Sequence, residues 1–191
     1  MSIDSARVVC TGCSYETREL YRPVVLRYQT TPGSHVETVP AKGWCYDCAE
    51  YLYIENMHPA ALRAQLDNAE RSRQAVRRRQ NELNGGFLSR FQNRSERQQL
   101  QYQLEEVDKQ ITKLTALLDI ARGRTSNPRC LKCWSDHTAL ITFDLNRGIA
   151  DDFQHECGGH LQIVHDQSGP RFHFRLTTYI LTGEGELVRE V

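Results

Sequence analysis

The chain has 191 residues, enough for one medium domain or for two or three small ones. Lys and Arg together number 24, as do Asp and Glu, so the bulk charge does not point to a polyanionic partner. Only 39% of the residues are hydrophobic, and domains with so little core material often rely on a bound metal. The sequence has neither a secretory signal pattern nor an apolar run of membrane-spanning length, which predicts a cytoplasmic protein without a membrane partner.

The seven cysteines indicate metal sites rather than disulfides, because thiols stay reduced in the cytosol. Six of them form pairs with two intervening residues, and two such pairs supply four thiolates, a complete tetrahedral zinc set. We predict two zinc sites. The first is expected to use the first two pairs, Cys10, Cys13, Cys45 and Cys48.

The second predicted site starts from the third pair, Cys130 and Cys133, and takes Cys157 as its third thiolate. The stretch HECGGH offers a histidine on either side of that cysteine. His160 has the two-residue gap of an ordinary knuckle. The stretch CGGHL also resembles the end of a zinc-ribbon knuckle, in which glycine follows the last ligand and frees backbone N–H groups to turn toward the sulfur. In the register that this resemblance implies, Cys157 comes last and His155 is its partner. We favour His155 as the fourth ligand and keep His160 as the alternative.

The same stretch is not expected to be a catalytic metal site. His155 and His160 are five positions apart, about 140° around a helix, whereas a metalloprotease places two histidines four apart on one helical face. A zinc deaminase needs H-x-E before P-C-x-x-C, and here the order is reversed. Four protein ligands also leave no position for an activated water. We therefore predict structural sites and no enzymatic activity.

Residues 1–57 are predicted to form the first zinc module. Its first cysteine pair is followed by a strand over 20–29, a turn over 30–35 and a return strand over 36–39. The second pair opens a predicted helix over 48–57. This order of knuckle, hairpin and cysteine pair at a helix start resembles a treble-clef zinc finger. The resemblance implies an architecture and no particular activity.

Residues 58–122 are predicted to form a helical hairpin with its tip near 84–93. Helix-forming residues predominate up to Leu83, and Asn-Gly-Gly then breaks the helix. In the second helix, apolar residues follow heptad spacing at Leu100, Leu104, Val107, Ile111, Leu114 and Leu118. The simplest interpretation is an antiparallel coiled coil within one chain. An intermolecular coiled coil would also satisfy the pattern, so monomer and dimer stay open.

A linker over 123–128 precedes the second predicted zinc module, residues 129–191. Strands are expected over 138–143, 161–164 and 172–180. Two knuckles joined by strands resemble a zinc ribbon, with Cys130, Cys133 and Cys157 matching its pattern and the histidine departing from it. The predicted fold class is α+β, with two small zinc-stabilised β-rich modules joined by a long antiparallel helical hairpin.

The hairpin carries the strongest functional signal, eight arginines against three glutamates between positions 70 and 97. We interpret the protein as a non-enzymatic zinc-binding adaptor that binds a protein partner. The alternative is a nucleic-acid-binding regulatory factor whose arginines contact phosphates and whose aromatic side chains stack on bases. The candidate partner-binding residues are Arg77, Arg78, Arg79, Arg90, Arg94, Arg97, Phe87 and Phe91.

Overall fold

The structure is a computed structural model that describes residues 5–19, 24–31, 34–84, 94–144, 146–166 and 176–191. The predicted hairpin tip, with Phe87, Arg90 and Phe91, lies outside the described residues, as does the stretch 172–175. The chain divides into two compact units. We call Met1–Asn56 together with Arg124–Val191 the sheet unit, and Met57–Gly123 the helical unit.

The sheet unit contains eleven described strands, numbered here in chain order. The segment before the helices forms β1 Ser5–Cys10, β2 Glu16–Glu19, β3 Val24–Thr31, β4 Ser34–Thr38, β5 Ala41–Cys45 and β6 Glu50–Ile54. The segment after them forms β7 Thr138–Leu140, β8 Ile149–Gln154, β9 His160–Asp166, β10 Thr177–Leu181 and β11 Leu187–Glu190.

These strands build three sheets, and each sheet combines strands from both segments. The first sheet has the order β2-β1-β9-β8, the second β11-β10-β3-β4 and the third β6-β5-β7. The joining pairs are β1 with β9 and β5 with β7, both antiparallel, and β3 with β10, which is parallel. Because every one of these sheets needs both segments, the segments fold together as one unit.

One apolar core packs the first and third sheets together. It includes Val8 and Leu161 from the first sheet and Trp44 and Tyr51 from the third, each at most 7% exposed. Burying a large apolar side chain contributes about 1.5–3 kcal/mol. This shared core therefore holds the knuckles that follow β1 and β5 in fixed positions.

The helical unit consists of α1 Pro59–Asn84 and α2 Arg94–Gly123, close to the predicted bounds. Two ion pairs join the helices, Arg79 with Glu96 and Arg73 with Asp108. Arg79, the later of the two residues on α1, pairs with the earlier residue on α2, and Arg73 pairs with the later one. The two helices therefore run antiparallel. The buried apolar side chains are Leu62, Leu66, Ala69 and Leu83 on α1, and Leu100, Leu114, Leu117, Leu118 and Ala121 on α2.

The α+β class agrees with the sequence prediction, but the expected modular organisation is wrong. Residues 1–57 and 129–191 were expected as separate modules, whereas both contribute to one sheet unit. The helix expected over 48–57 is instead the strand β6, whose Tyr51 and Ile54 are buried and which pairs with β5. Among the described residues, no helix is long and apolar enough to cross a membrane.

Candidate metal centres

Two groups of four side chains bring their ligand atoms together, each group within 4.8 Å. The first metal group is Cys10, Cys13, His155 and Cys157. The second metal group is Cys45, Cys48, Cys130 and Cys133. Each group takes two ligands from the segment before the helices and two from the segment after them. The sheet pairing explains this, because it places a knuckle from each segment side by side.

The first metal group lies where two hairpins of the first sheet end next to each other. Cys10 is the last residue of β1, and the knuckle between β1 and β2 carries Cys13. The turn between β8 and β9 carries His155 and Cys157. Two hydrogen bonds join the two loops: Thr11 N donates to His160 O at 2.9 Å, and His160 N donates to the Thr11 side-chain Oγ1 at 2.9 Å.

The ligand atoms of the first metal group have separations that suit a tetrahedral ion. The Cys10 and Cys157 Sγ atoms are 3.3 Å apart, and His155 Nδ1 is 3.2 Å from Cys157 Sγ and 3.7 Å from Cys13 Sγ. Zinc bonds of about 2.3 Å to sulfur and 2.0–2.1 Å to nitrogen imply edges of roughly 3.8 Å for S···S and 3.6 Å for N···S. The group therefore fits a tetrahedral zinc ion with small adjustments.

His155 and His160 take different roles. The structure places His155 Nδ1 among the three thiols, whereas His160 Nδ1 lies 3.2 Å from the backbone oxygen of Phe153. The His155 ring also packs against Tyr15 and Trp44, with both centroid distances at 5.2 Å. These aromatic contacts fix the orientation of the imidazole.

Trp44 connects the surroundings of the two metal groups. It is 1% exposed and directly precedes Cys45, a ligand of the second group. Its ring also meets Tyr15 at 5.2 Å and Phe153 at 5.3 Å. Sequence patterns gave no reason to single out Trp44, because its contacts come from strands distant in the chain.

The second metal group is the more buried of the two. Cys45 and Cys130 are fully buried, and Cys48 is partly buried. The Sγ atoms of Cys45 and Cys133 are 3.6 Å apart, and those of Cys48 and Cys130 are 3.9 Å apart, close to the tetrahedral edge expected for zinc. Lys132 N donates a hydrogen bond to Cys130 Sγ at 3.3 Å, a backbone contact that stabilises a thiolate.

Two thiols of the second metal group, those of Cys48 and Cys130, resist ionisation unless a cation joins them. Burial raises the pKa of Cys130 to about 11. Burial and the neighbouring thiols of Cys133 and Cys45 raise the pKa of Cys48 well above its usual value. A bound divalent ion reverses this preference, because a coordinated thiol is deprotonated. The four thiols together are thus a donor set suited to a thiophilic cation.

The structure contradicts the predicted pairing of the cysteines. Cys10 and Cys13 were expected to share a site with Cys45 and Cys48, and Cys130 and Cys133 with Cys157 and a histidine. Instead, each early pair joins a late pair across more than 80 positions of the chain. The residues singled out as ligands are those in the two groups, but their partners were wrong because spacing alone carries no information on sheet pairing.

Some arginines of the helical unit form contacts inside the unit, and others are exposed. Arg79 pairs with Glu82 and Glu96, and Arg97 donates to the backbone oxygen of Leu83 at 2.8 Å. Arg77 and Arg78 are exposed, and no described residue forms an ion pair with either. Arg94 is also exposed, at the start of α2. The predicted basic surface is therefore partly committed to contacts inside the unit.

No protein-family model, curated protein or solved structure matches this chain. The two groups of potential metal ligands are the firmest functional feature that the structure offers.

Proposed function

We propose that this protein is a non-enzymatic zinc-binding adaptor of the cytoplasm that presents a helical hairpin to a protein partner. The observation that carries the proposal is the closure of both metal groups, each with four protein ligands and ligand atoms within 4.8 Å. Structural zinc sites are closed in this way, whereas catalytic sites keep a position for water or substrate. The metal would stabilise the sheet unit rather than perform chemistry.

Zinc is the ion that this donor set favours. Seven thiols and one imidazole are soft or borderline ligands, which magnesium and calcium do not prefer. The S···S separations of 3.6 Å and 3.9 Å also support tetrahedral coordination. Because thiolates must persist for such sites to stay loaded, a reducing compartment suits the protein.

The helical unit is proposed to be an antiparallel coiled coil within one chain. The cross-helix ion pairs set a register in which Leu62 would face Leu118 and Leu66 would face Leu114, and all four are buried. Arg73 follows Leu62, Leu66 and Ala69 at the next position of a 4, 3, 4 spacing on α1, and its pairing with Asp108 supports that register. Apolar residues that are already buried between two helices of one chain are not available to a second chain. This favours a monomer over a coiled-coil dimer.

The outward face of α1 around Arg77 and Arg78 is the surface proposed for the protein partner. Both guanidinium groups are exposed without a described ion-pair partner, so they remain available for carboxylates on another protein. Arginine is enriched at protein interfaces because its planar group forms paired hydrogen bonds.

The test is site-specific photo-crosslinking in cells that make the full chain. A photoreactive residue replaces Gln74, next to the arginines, and in a control chain replaces Lys113 on α2. We expect a protein adduct from position 74 that disappears when Arg77 and Arg78 are both changed to alanine. An adduct from both positions, or from neither, would contradict a partner surface on α1.

The second candidate function, nucleic-acid binding, is favoured by the same two unpaired arginines. Phosphate binding would weaken steeply with salt through counterion release. The measurement is binding to short DNA and RNA across a salt series, comparing the Arg77/Arg78 double alanine variant with Arg79→Ala. Arg79 is already paired with Glu96 and Glu82, so its loss is expected to leave phosphate affinity unchanged. Tight, salt-steep binding lost only in the double variant would replace the adaptor proposal.

A further inference from the structure

Two charged residues of the sheet unit lie where the chain leaves for the helices and where it returns. Glu55 follows β6 directly, and Arg124 follows α2 directly. Arg124 Nη2 donates to Glu55 Oε2 at 3.0 Å, with the arginine side chain 2% exposed and the glutamate side chain fully buried. The pair therefore joins the two junctions of the helical insertion.

Glu55 has three further contacts in the sheet unit, two through its buried carboxylate and one through its backbone N. Tyr28 Oη donates to Oε1 at 2.7 Å, Arg129 N donates to Oε2 at 2.6 Å, and Glu55 N donates to Arg129 O at 2.9 Å. Removing one partner of a buried ion pair is strongly destabilising, because it leaves the other charge buried and uncompensated. Glu55 thus holds the departing chain, the returning chain and the second sheet together.

The same junction continues directly into the second metal group. Ile54 forms an antiparallel bridge with the ligand Cys130, and Leu131 N donates to Tyr53 O at 3.0 Å. Residues 53–55 and 129–131 therefore lie side by side as a short ladder. One end of this ladder meets the metal ligands, and the other end meets the Glu55–Arg124 pair.

We propose that metal binding in the second group, and not in the first, orders the two junctions of the helical insertion through this ladder. The inference rests on the proposed function only in that the second group must bind a metal ion. A metal that links the Cys45–Cys48 loop to the Cys130–Cys133 loop fixes the register of the ladder. The ladder then places Arg129 N and Glu55 so that the ion pair forms.

Such coupling is reciprocal. If metal in the second group favours the ordered junction, weakening the junction must lower the metal affinity of that group by the same factor. No described hydrogen bond or ion pair joins a ligand of the first group to Glu55, Arg124 or Arg129, so the affinity of the first group should fall less than that of the second. This difference separates the proposal from a general loss of stability, which would weaken both groups.

The test uses the full chain and Co²⁺ as the probe, because three-thiolate-one-imidazole and four-thiolate cobalt sites absorb differently. The variant is Glu55→Gln. Its matched control is Glu50→Gln, which removes a carboxylate only two residues from Cys48 and partly exposed in its pair with Lys132. We expect Glu55→Gln to lower the affinity of the second group about 5- to 100-fold and the control to change it less than about 2-fold. An unchanged Co²⁺ affinity of the second group, or an equal loss of affinity at both groups, would overturn the proposal.

A second measurement follows amide hydrogen exchange at Glu55 and Arg129, whose N–H groups are both hydrogen-bonded. With Zn²⁺ bound, we expect protection at these amides to be lost in Cys133→Ser and kept in Cys13→Ser, which removes a ligand of the first group instead. Loss of amide protection in both variants, or in neither, would contradict the coupling. These readouts involve no partner, so a chain without a crosslinked protein would disprove the adaptor function and leave this inference standing.

Discussion

The backbones of Gly12 and Gly159 lie against each other between the two knuckles of the first metal group. A Cβ atom on Gly159 would lie 2.5 Å from Gly12 N and 2.7 Å from Cys10 Sγ. A Cβ on Gly12 would lie 3.0 Å from Gly159 Cα and 3.1 Å from Cys157 Sγ. The absence of both side chains is what lets the knuckles approach closely enough for their ligands to meet.

Gly159→Ala is therefore expected to destabilise the sheet unit by about 1–3 kcal/mol, the usual cost of overpacking, and to weaken metal binding in the first group. The measurement is urea unfolding of the zinc-loaded chain together with zinc retention against a chelator. Gly123→Ala is the matched control, because nothing lies within 4 Å of a Cβ at that helical position. Its expected effect is neutral or stabilising, up to about 1 kcal/mol. Equal effects of the two substitutions would disprove the packing argument.

The cross-segment pairing of the cysteines predicts which double variants lose one metal ion and which lose two. The Cys13→Ser, Cys157→Ser variant removes ligands from one group and should keep about one zinc per chain. The Cys13→Ser, Cys48→Ser variant damages both groups and should lose both ions. Pairing along the sequence predicts the reverse result. Metal analysis after dialysis against a competing chelator distinguishes the two arrangements.

His155→Ala is expected to remove the metal of the first group, because His155 Nδ1 lies among its thiols. His160→Ala should keep both ions and cost only about 1 kcal/mol, the net value of its contact with the Phe153 carbonyl. Zinc content and urea unfolding measure the two effects. Zinc kept in the first variant and lost in the second would assign the ligand to His160.

Because the Tyr28 phenol is buried beside Glu55, we expect the protein to lose stability at alkaline pH. Burial, and the negative charge of Glu55 beside it, raise the pKa of Tyr28 well above its usual value. A raised folded-state pKa stabilises the fold below the unfolded value of about 10, and this contribution is lost as the pH rises above it. We expect the free energy of unfolding of the zinc-loaded chain to fall above about pH 10.

Tyr28→Phe should reduce that alkaline slope and cost about 1–3 kcal/mol near neutral pH, since the buried carboxylate of Glu55 loses a donor. Urea unfolding at several pH values measures both quantities. Tyr102→Phe, at a helix position that is 65% exposed, is the control and should behave as the wild type. An unchanged slope in Tyr28→Phe would show that another group is responsible.

Local patterns predicted the elements whose structure is decided locally. The heptad spacing and the Asn-Gly-Gly break gave both helices nearly to the residue, because helical periodicity is a short-range signal. The strand expected over 36–39 overlaps β4, which begins at Ser34 inside the predicted turn over 30–35. Of the two candidate histidines, the structure groups His155 with Cys157, but together with Cys10 and Cys13 rather than with the predicted third cysteine pair.

Predictions that depended on distant partners failed. Residues 48–57 were interpreted as a helix, but the aromatic and branched side chains of β6 pack in a sheet with β5, and tertiary pairing overrides local propensity. The cysteine pairs were grouped by proximity in the chain, whereas the pairing of β1 with β9 and of β5 with β7 decides which pairs meet. Glu55 and Arg124 carried no sequence signal, since their importance comes from a contact across 69 positions.

The interleaving of the two segments has a consequence for the newly made chain on the ribosome. Cys10 emerges 147 positions ahead of its partner Cys157, so at about 5–20 residues per second the early thiols wait roughly 7 to 30 s for their ligand set. None of the three sheets is complete until strands that follow the helices have been made. The helices, whose contacts are local, are free to form during that interval. The segment before the helices therefore cannot complete its sheets or its metal groups until the segment after the helices has been made.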